Sequence, residues 1–360
     1  MTAVRTEFEL LPFYCPIDSA IHPLVDEVER GALAWVDSLP LPATDVERAW
    51  IAGTNSAEFY ARFAPYGDPY LVQLAARWVY FGFAFDDARC DAGEHSRRPE
   101  RFLPVAGAIQ RALEIPGDPP DGADRFTVAV HDIGRAFREH ATPTQVRRFA
   151  EAHRRWLLDV AWQVGNRSRG YMPDLNEYTA MRLGSCGGPP TFAMLEIANG
   201  AEVPAKEMDS LPVRALTELA CLVAGWDNDL HSYRKEADRD HSDQNIVNVL
   251  VRRQQLPLPE ALLTAVRMRD RAMSLFLRLR ERALRRASQE LTDYLTCLGH
   301  GIRGNIDWAL RVPRYTSPAT GDGAPVAAPA WASGWADRPA DTSADPLPIP
   351  AIAWWWQLER

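Results

Sequence analysis

The chain has 360 residues, 46% hydrophobic and 24% charged, and carries a formal net charge of −8 with acids and bases interspersed. That balance excludes a basic nucleic-acid footprint and a polybasic membrane anchor. No stretch is long and apolar enough to span a bilayer, and Met1 to Pro16 carries charges and prolines where a signal peptide needs an apolar run. The expectation is therefore a soluble, cytoplasmic protein. Five widely spaced cysteines (Cys15, Cys90, Cys186, Cys221, Cys297) include no Cys-x-x-Cys pair, which reads as buried thiols in a reducing compartment.

From about Leu24 to Arg314, apolar residues return every three or four positions, the helical period. The clearest predicted helices are Tyr70 to Phe85, Thr144 to Trp162, Pro212 to Lys235 and Pro259 to Arg285. Breakers separate them at Pro65 to Pro69, Pro116 to Gly122, Gly170 to Pro173 and Gly187 to Pro190. No internal repeat is visible, and strand signals are absent, so the fold class is all-α, helix packed on helix. After Tyr315 the composition turns abruptly to Pro, Ala, Gly and Asp. Residues 1–315 thus read as one domain and 316–360 as an extended or mobile tail. The tail ends in Trp354-Trp355-Trp356, which a solvated linker does not need; a docked anchor, over the bundle mouth or on its outer surface, is expected.

Two acidic constellations stand out. Asp86, Asp87 and Asp91 cluster where an apolar helical run ends, and such a cluster is unfavourable unless cations neutralise it. Mg²⁺, a hard ion, is satisfied by one or two carboxylates with waters and phosphate oxygens. The same three residues alone also suit a solvated helix terminus. The second constellation, Asn228, Ser232 and Glu236, recurs at i, i+4 and i+8 directly after the apolar run Leu219 to Trp226. On a helix these stack along one face and offer amide, hydroxyl and carboxylate oxygens to one cation. His231 and His241 lack a ligand partner at useful spacing and read as surface or supporting residues.

This ordered pair resembles the Asp-rich motif and the Asn-Ser-Glu triad of bacterial class I terpene synthases. Further matches are the segment Pro173 to Arg182, Trp308, the pair Arg314-Tyr315, the start Leu11 to Pro16 with His22-Pro23, and the Trp-rich end. The resemblance implies a Mg²⁺-dependent terpene cyclase that binds three ions and acts on a prenyl diphosphate. Asp86, Asp87 and Asp91 then hold one group of ions, and Asn228, Ser232 and Glu236 another. Arg182, Lys235 and Arg314 bind the diphosphate, Tyr315 caps it, and Phe63, Phe83 and Trp308 face the cation. Ser185 takes the position of the linker after the sensing arginine, and Cys186 that of the effector, where relatives often carry Asp and Gly. No further cofactor is implied, and a homodimer is compatible with the pattern.

Substrate length is open between C15 farnesyl and C20 geranylgeranyl diphosphate. Gly184 stands where similar enzymes have a bulky aromatic, and extra room there favours C20 and a polycyclic diterpene. An elongating prenyltransferase would carry a second Asp-rich motif in place of Asn228, Ser232 and Glu236. A catalytically inactive prenyl-lipid binder is the reading from a different class.

Overall fold

The computed structural model describes residues 12–91, 93–119, 122–237, 244–312 and 335–359, excluding the side chains of 234–237. In chain order the helices are α1 (Val25–Ser38), α2 (Asp45–Ala52), α3 (Ser56–Phe63), α4 (Pro69–Phe85), α5 (Pro99–Glu114), α6 (Arg125–His140) and α7 (Pro143–Ser168). They continue as α8 (Leu175–Ser185), α9 (Gly188–Ala193), α10 (Leu195–Ala198), α11 (Ala205–Met208), α12 (Leu211–Ala237), α13 (Ile246–Arg253), α14 (Leu258–Leu284) and α15 (Gln289–Ala309).

Local chemistry sets their bounds. Asp68 accepts from the backbone N–H groups of Tyr70 and Leu71 and starts α4, with Pro69 at the first position, where its missing N–H costs nothing. Thr142 with Gln145 and Asp174 with Glu177 form reciprocal caps that open α7 and α8. Gly187, at φ +74°, ends the α8 segment in a left-handed turn that a side chain disfavours, and Pro189 and Pro190 then fall in the first turn of α9.

Helix α12 runs through the middle of the bundle. Leu216, Leu219, Ala220, Leu222, Val223 and Trp226 on it are completely buried, so it packs on several sides at once. Its neighbours include α8, α9, α14 and α15, while α3, α4 and α7 complete the wall on the far side of a central cavity. No helix among the described residues is long and apolar enough to cross a membrane.

Three features sharpen or correct the sequence reading. Phe13–Tyr14 (β1) pairs in parallel with Trp335–Ala336 (β2); two residues are too short to show a strand period. A buried ion cluster secures this ribbon: Arg269 donates to both oxygens of Asp227 at 2.6 and 3.1 Å, and Asp270 accepts from the backbone N–H groups of Tyr14 and Ala340. His231 is buried rather than at the surface, with Nδ1 2.7 Å from the Asp227 carbonyl and its ring edge-on to Phe13; His241 lies outside the described residues. The last part of the tail is docked, as its tryptophans led one to expect: Leu347, Ile349, Ile352, Trp355 and Trp356 are buried against the bundle.

Candidate active site

The last turn of α4 passes into a π turn, Asp86–Cys90, closed by the bond from Asp91 N to Asp86 O at 2.9 Å. In a regular α-helix Asp86 and Asp91, five apart, diverge around the axis. The wider π turn brings them onto one side, and such turns recur at functional sites. One carboxylate oxygen from each of Asp86, Asp87 and Asp91 lies within 4.8 Å of the others. Trp50 Nε1 donates to Asp87 Oδ2 at 2.9 Å, and Arg167 Nη2 stands 4.0 Å from Asp91 Oδ1. Three carboxylates at this distance repel one another, and hard-oxygen donors suit a divalent ion.

Across the cavity, three consecutive residues of α12 point three ways. Asp227 faces back to Arg269, Asp229 faces α8, and Asn228 faces the cavity together with Ser232 one turn on. Arg182 joins two of them: Nη2 donates to Asn228 Oδ1 at 3.0 Å and lies 2.6 Å from Asp229 Oδ1. Asp229 also accepts from the Tyr178 hydroxyl and from Ile246 N–H, the latter at 2.9 Å. Burial still pushes its carboxyl above the usual range, against the pull of Arg182. The structure therefore brings Asp86, Asp91, Asn228, Ser232 and Arg182 to one end of one cavity. The side chains of Lys235 and Glu236 and the pair Arg314-Tyr315 lie outside the described residues.

The cavity holds about 390 Å³. Its charged groups come from the π turn after α4, from α12, α7 and α8 and from Arg97, and aromatic rings line much of the rest. Phe83 stacks on Trp308 with centroids 5.3 Å apart and planes 12° apart, and Phe59 meets both edge-on. Trp308 is fixed by donation from Nε1 to Thr54 O at 2.9 Å. Phe63 packs between Phe59 and Phe192. The sequence reading missed Phe59, Trp78, Trp156 and Phe192 in this wall, and Arg97 and Arg167 near its polar end. One signal was present: Trp156, Val160, Gln163, Val164 and Arg167 recur at helical spacing along α7 and all line the cavity.

The break after α8 forms the remaining wall. Ser185 Oγ is buried with no hydrogen-bond partner among the described residues, so the hydroxyl makes no bridge from Arg182 to Cys186. Cys186 lines the cavity; its Sγ accepts from Gly188 N–H at 3.3 Å, and burial raises its pKa, leaving the thiol protonated and inert. Gly184 overturns an expectation. It does not line the cavity but faces α7, where a Cβ would lie 1.9 Å from Asp159 Oδ2. The room left by its missing side chain is already filled by a carboxylate, so Gly184 does not enlarge the cavity.

Residues 77–274 match the family model described as terpene synthase family 2, C-terminal metal binding. The chain is 48% identical to spiroviolene synthase of Streptomyces violens over 97% of both chains. It is 32% identical to the (+)-(1(10)E,4E,6S,7R)-germacradien-6-ol synthase of Streptomyces pratensis over 99% of both. The crystal structure of SVS_A2, a protein from ancestral sequence reconstruction, superposes with a TM-score of 0.87 at 50% identity, covering 98% of this chain and 99% of that one.

Proposed function

The chain belongs to the bacterial class I terpene synthases, lyases acting on prenyl diphosphates, and from that premise we propose that it converts geranylgeranyl diphosphate to a polycyclic diterpene hydrocarbon. The observation that carries the reading is one cavity with carboxylate, amide, hydroxyl and guanidinium groups at one end and stacked aromatic rings behind them. Such a site suits a substrate with an anionic head and a long apolar tail. The C20 length rests on the similarity to spiroviolene synthase, a diterpene synthase, and no longer on Gly184. We assign residues 1–315 to catalysis and treat 316–360 as a supporting tail.

Three Mg²⁺ ions fit the donor set: Asp86, Asp87 and Asp91 on one side, Asn228, Ser232 and Glu236 on the other. Bound there, the ions neutralise the diphosphate and make it a good leaving group. Arg182, already oriented by Asn228 and Asp229, donates to the diphosphate oxygens, and its planar fork suits that task. From the sequence resemblance we assign Lys235, Arg314 and Tyr315 to the same group. Phe63, Phe83 and Trp308 line the apolar part of the cavity, where ring faces attract positive charge and water is excluded. The test is competitive: farnesyl and geranylgeranyl diphosphates at equal concentration, with cyclic products quantified by mass spectrometry. Cyclic C20 product in excess supports the proposal. A clear excess of cyclic C15 product assigns the enzyme to sesquiterpenes instead.

A further inference from the structure

The tryptophans that close the chain take no part in the cavity wall. They sit in a 3₁₀ helix, Ala353–Glu359, on the outer flank of α12 and α14. Arg278 anchors Glu359 at its end through two bonds, and Ile349, Ile352 and Trp355 are essentially inaccessible to water. None of the described residues of this segment lines the cavity.

Two polar routes lead from it to the helix that carries Arg182. One is direct: Ala351 N–H donates to Asn176 Oδ1 at 2.8 Å, in the first turn of α8. The other reaches the opposite end of α8. Trp355 Nε1 donates to Glu218 Oε2 at 3.0 Å, and Glu218 Oε1 faces Arg155 Nη1 at 3.9 Å. Arg155 Nε donates to Asp159 Oδ2 at 3.4 Å, and that same oxygen fills the notch at Gly184. Arg214 holds Glu218 from the side, with its Nε 3.2 Å from Oε1 and its guanidinium over the Trp354 ring.

We propose that the C-terminal segment braces α8. Trp355 and Glu218, acting through Arg155 and Asp159, are positioning residues that hold the Gly184–Cys186 break and so the placement of Arg182. The need for a brace is physical. Helix α8 has eleven residues and ends in a left-handed glycine, so its own backbone bonds fix its C-terminal end poorly. Misplacement of a substrate-orienting group by about 1 Å is enough to cost on the order of 100-fold in rate. The proposal rests on Arg182 as a diphosphate-contacting residue, a reading with its own test in Arg182→Lys.

The experiment uses the full chain and follows diphosphate release, product ratio and melting temperature for Glu218→Gln, Asp159→Asn and the double variant. Each single variant is expected to lower kcat by about three- to tenfold, with KM changed less than about twofold and Tm within about 3 °C of wild type. The double variant should be no slower than the slower single one, because residues in one line of contact act non-additively. Folded single variants with wild-type kcat, or effects that multiply in the double variant, overturn the proposal. Should Glu218→Gln melt below the assay temperature, Trp355→Phe removes the same hydrogen bond from the other side and is held to the same outcomes. A failure of the Arg182 reading is separately visible, as wild-type rates in Arg182→Lys.

Discussion

Replacing Gly184 by alanine puts a methyl group 1.9 Å from Oδ2 of Asp159, 2.7 Å from its Cγ and 3.0 Å from its Cβ. Ordinary contact requires about 3.5 Å, so the carboxylate must swing by roughly 1.5 Å or the two helices must part. Asp159 is itself buried on α7 between cavity-lining neighbours, Trp156 and Val160, and has little room to move. Overpacking of this kind costs about 1–3 kcal/mol. For a chain of this length that corresponds to a fall in Tm of about 1–4 °C. Asp159→Ala removes the two closest obstructing atoms and leaves only the Cβ contact. In that background Gly184→Ala is expected to cost less than about 1 kcal/mol. Chemical denaturation of the four proteins closes the cycle. Equal costs in the two backgrounds would refute the packing described here, as would a stable Gly184→Ala protein that shifts preference to shorter substrates.

Asp86→Ala and Glu236→Gln are each expected to lower turnover by about 10³-fold or more while the helical circular dichroism spectrum stays unchanged; near-wild-type rates would remove these residues from the ion site. Arg182→Lys keeps the charge but loses the planar guanidinium whose Nη2 reaches both Asn228 and Asp229, and diphosphate release should fall by about 10- to 100-fold. Burial pushes the Asp159 carboxyl up to about 6, above the roughly 3.9 of an unfolded chain. The folded protein therefore holds this proton more tightly than the unfolded one, and the associated stability is full below about pH 4 and lost as pH rises through about 6. Asp159→Asn should match wild type near pH 4 and exceed it by about 1–2 kcal/mol at pH 8; an equal difference at both pH values contradicts the sign.

The long helices were legible because burial on one face writes a 3.6-residue period into the chain, and α4, α7, α12 and α14 begin and end within a few residues of the predicted runs except at the C-terminal end of α7. The clustering of Asp86, Asp87 and Asp91 and the shared cavity face of Asn228 and Ser232 were legible for the complementary reason: carboxylates and amides that interrupt an apolar face require partners. What the sequence hid was direction. Phe59 and Trp156 carry the same apolar signal whether they pack in the core or line a cavity. Gly184 suggested space, but whether a missing side chain opens a cavity depends on what stands opposite, and here that is Asp159 from another helix. The π turn at Asp86 depends on backbone bonds that no residue type announces. The sequence left His231 open between a surface and a supporting place; what decides for burial is the Asp227–Arg269 pair beside it, made across more than forty residues.

Product analysis with geranylgeranyl diphosphate and Mg²⁺, with and without EDTA, tests the assignment most directly. The expected result is a polycyclic C20 hydrocarbon formed mole for mole with released diphosphate, abolished by EDTA and restored by excess Mg²⁺. Full product formation in EDTA, or binding of the substrate with no diphosphate released, would contradict it.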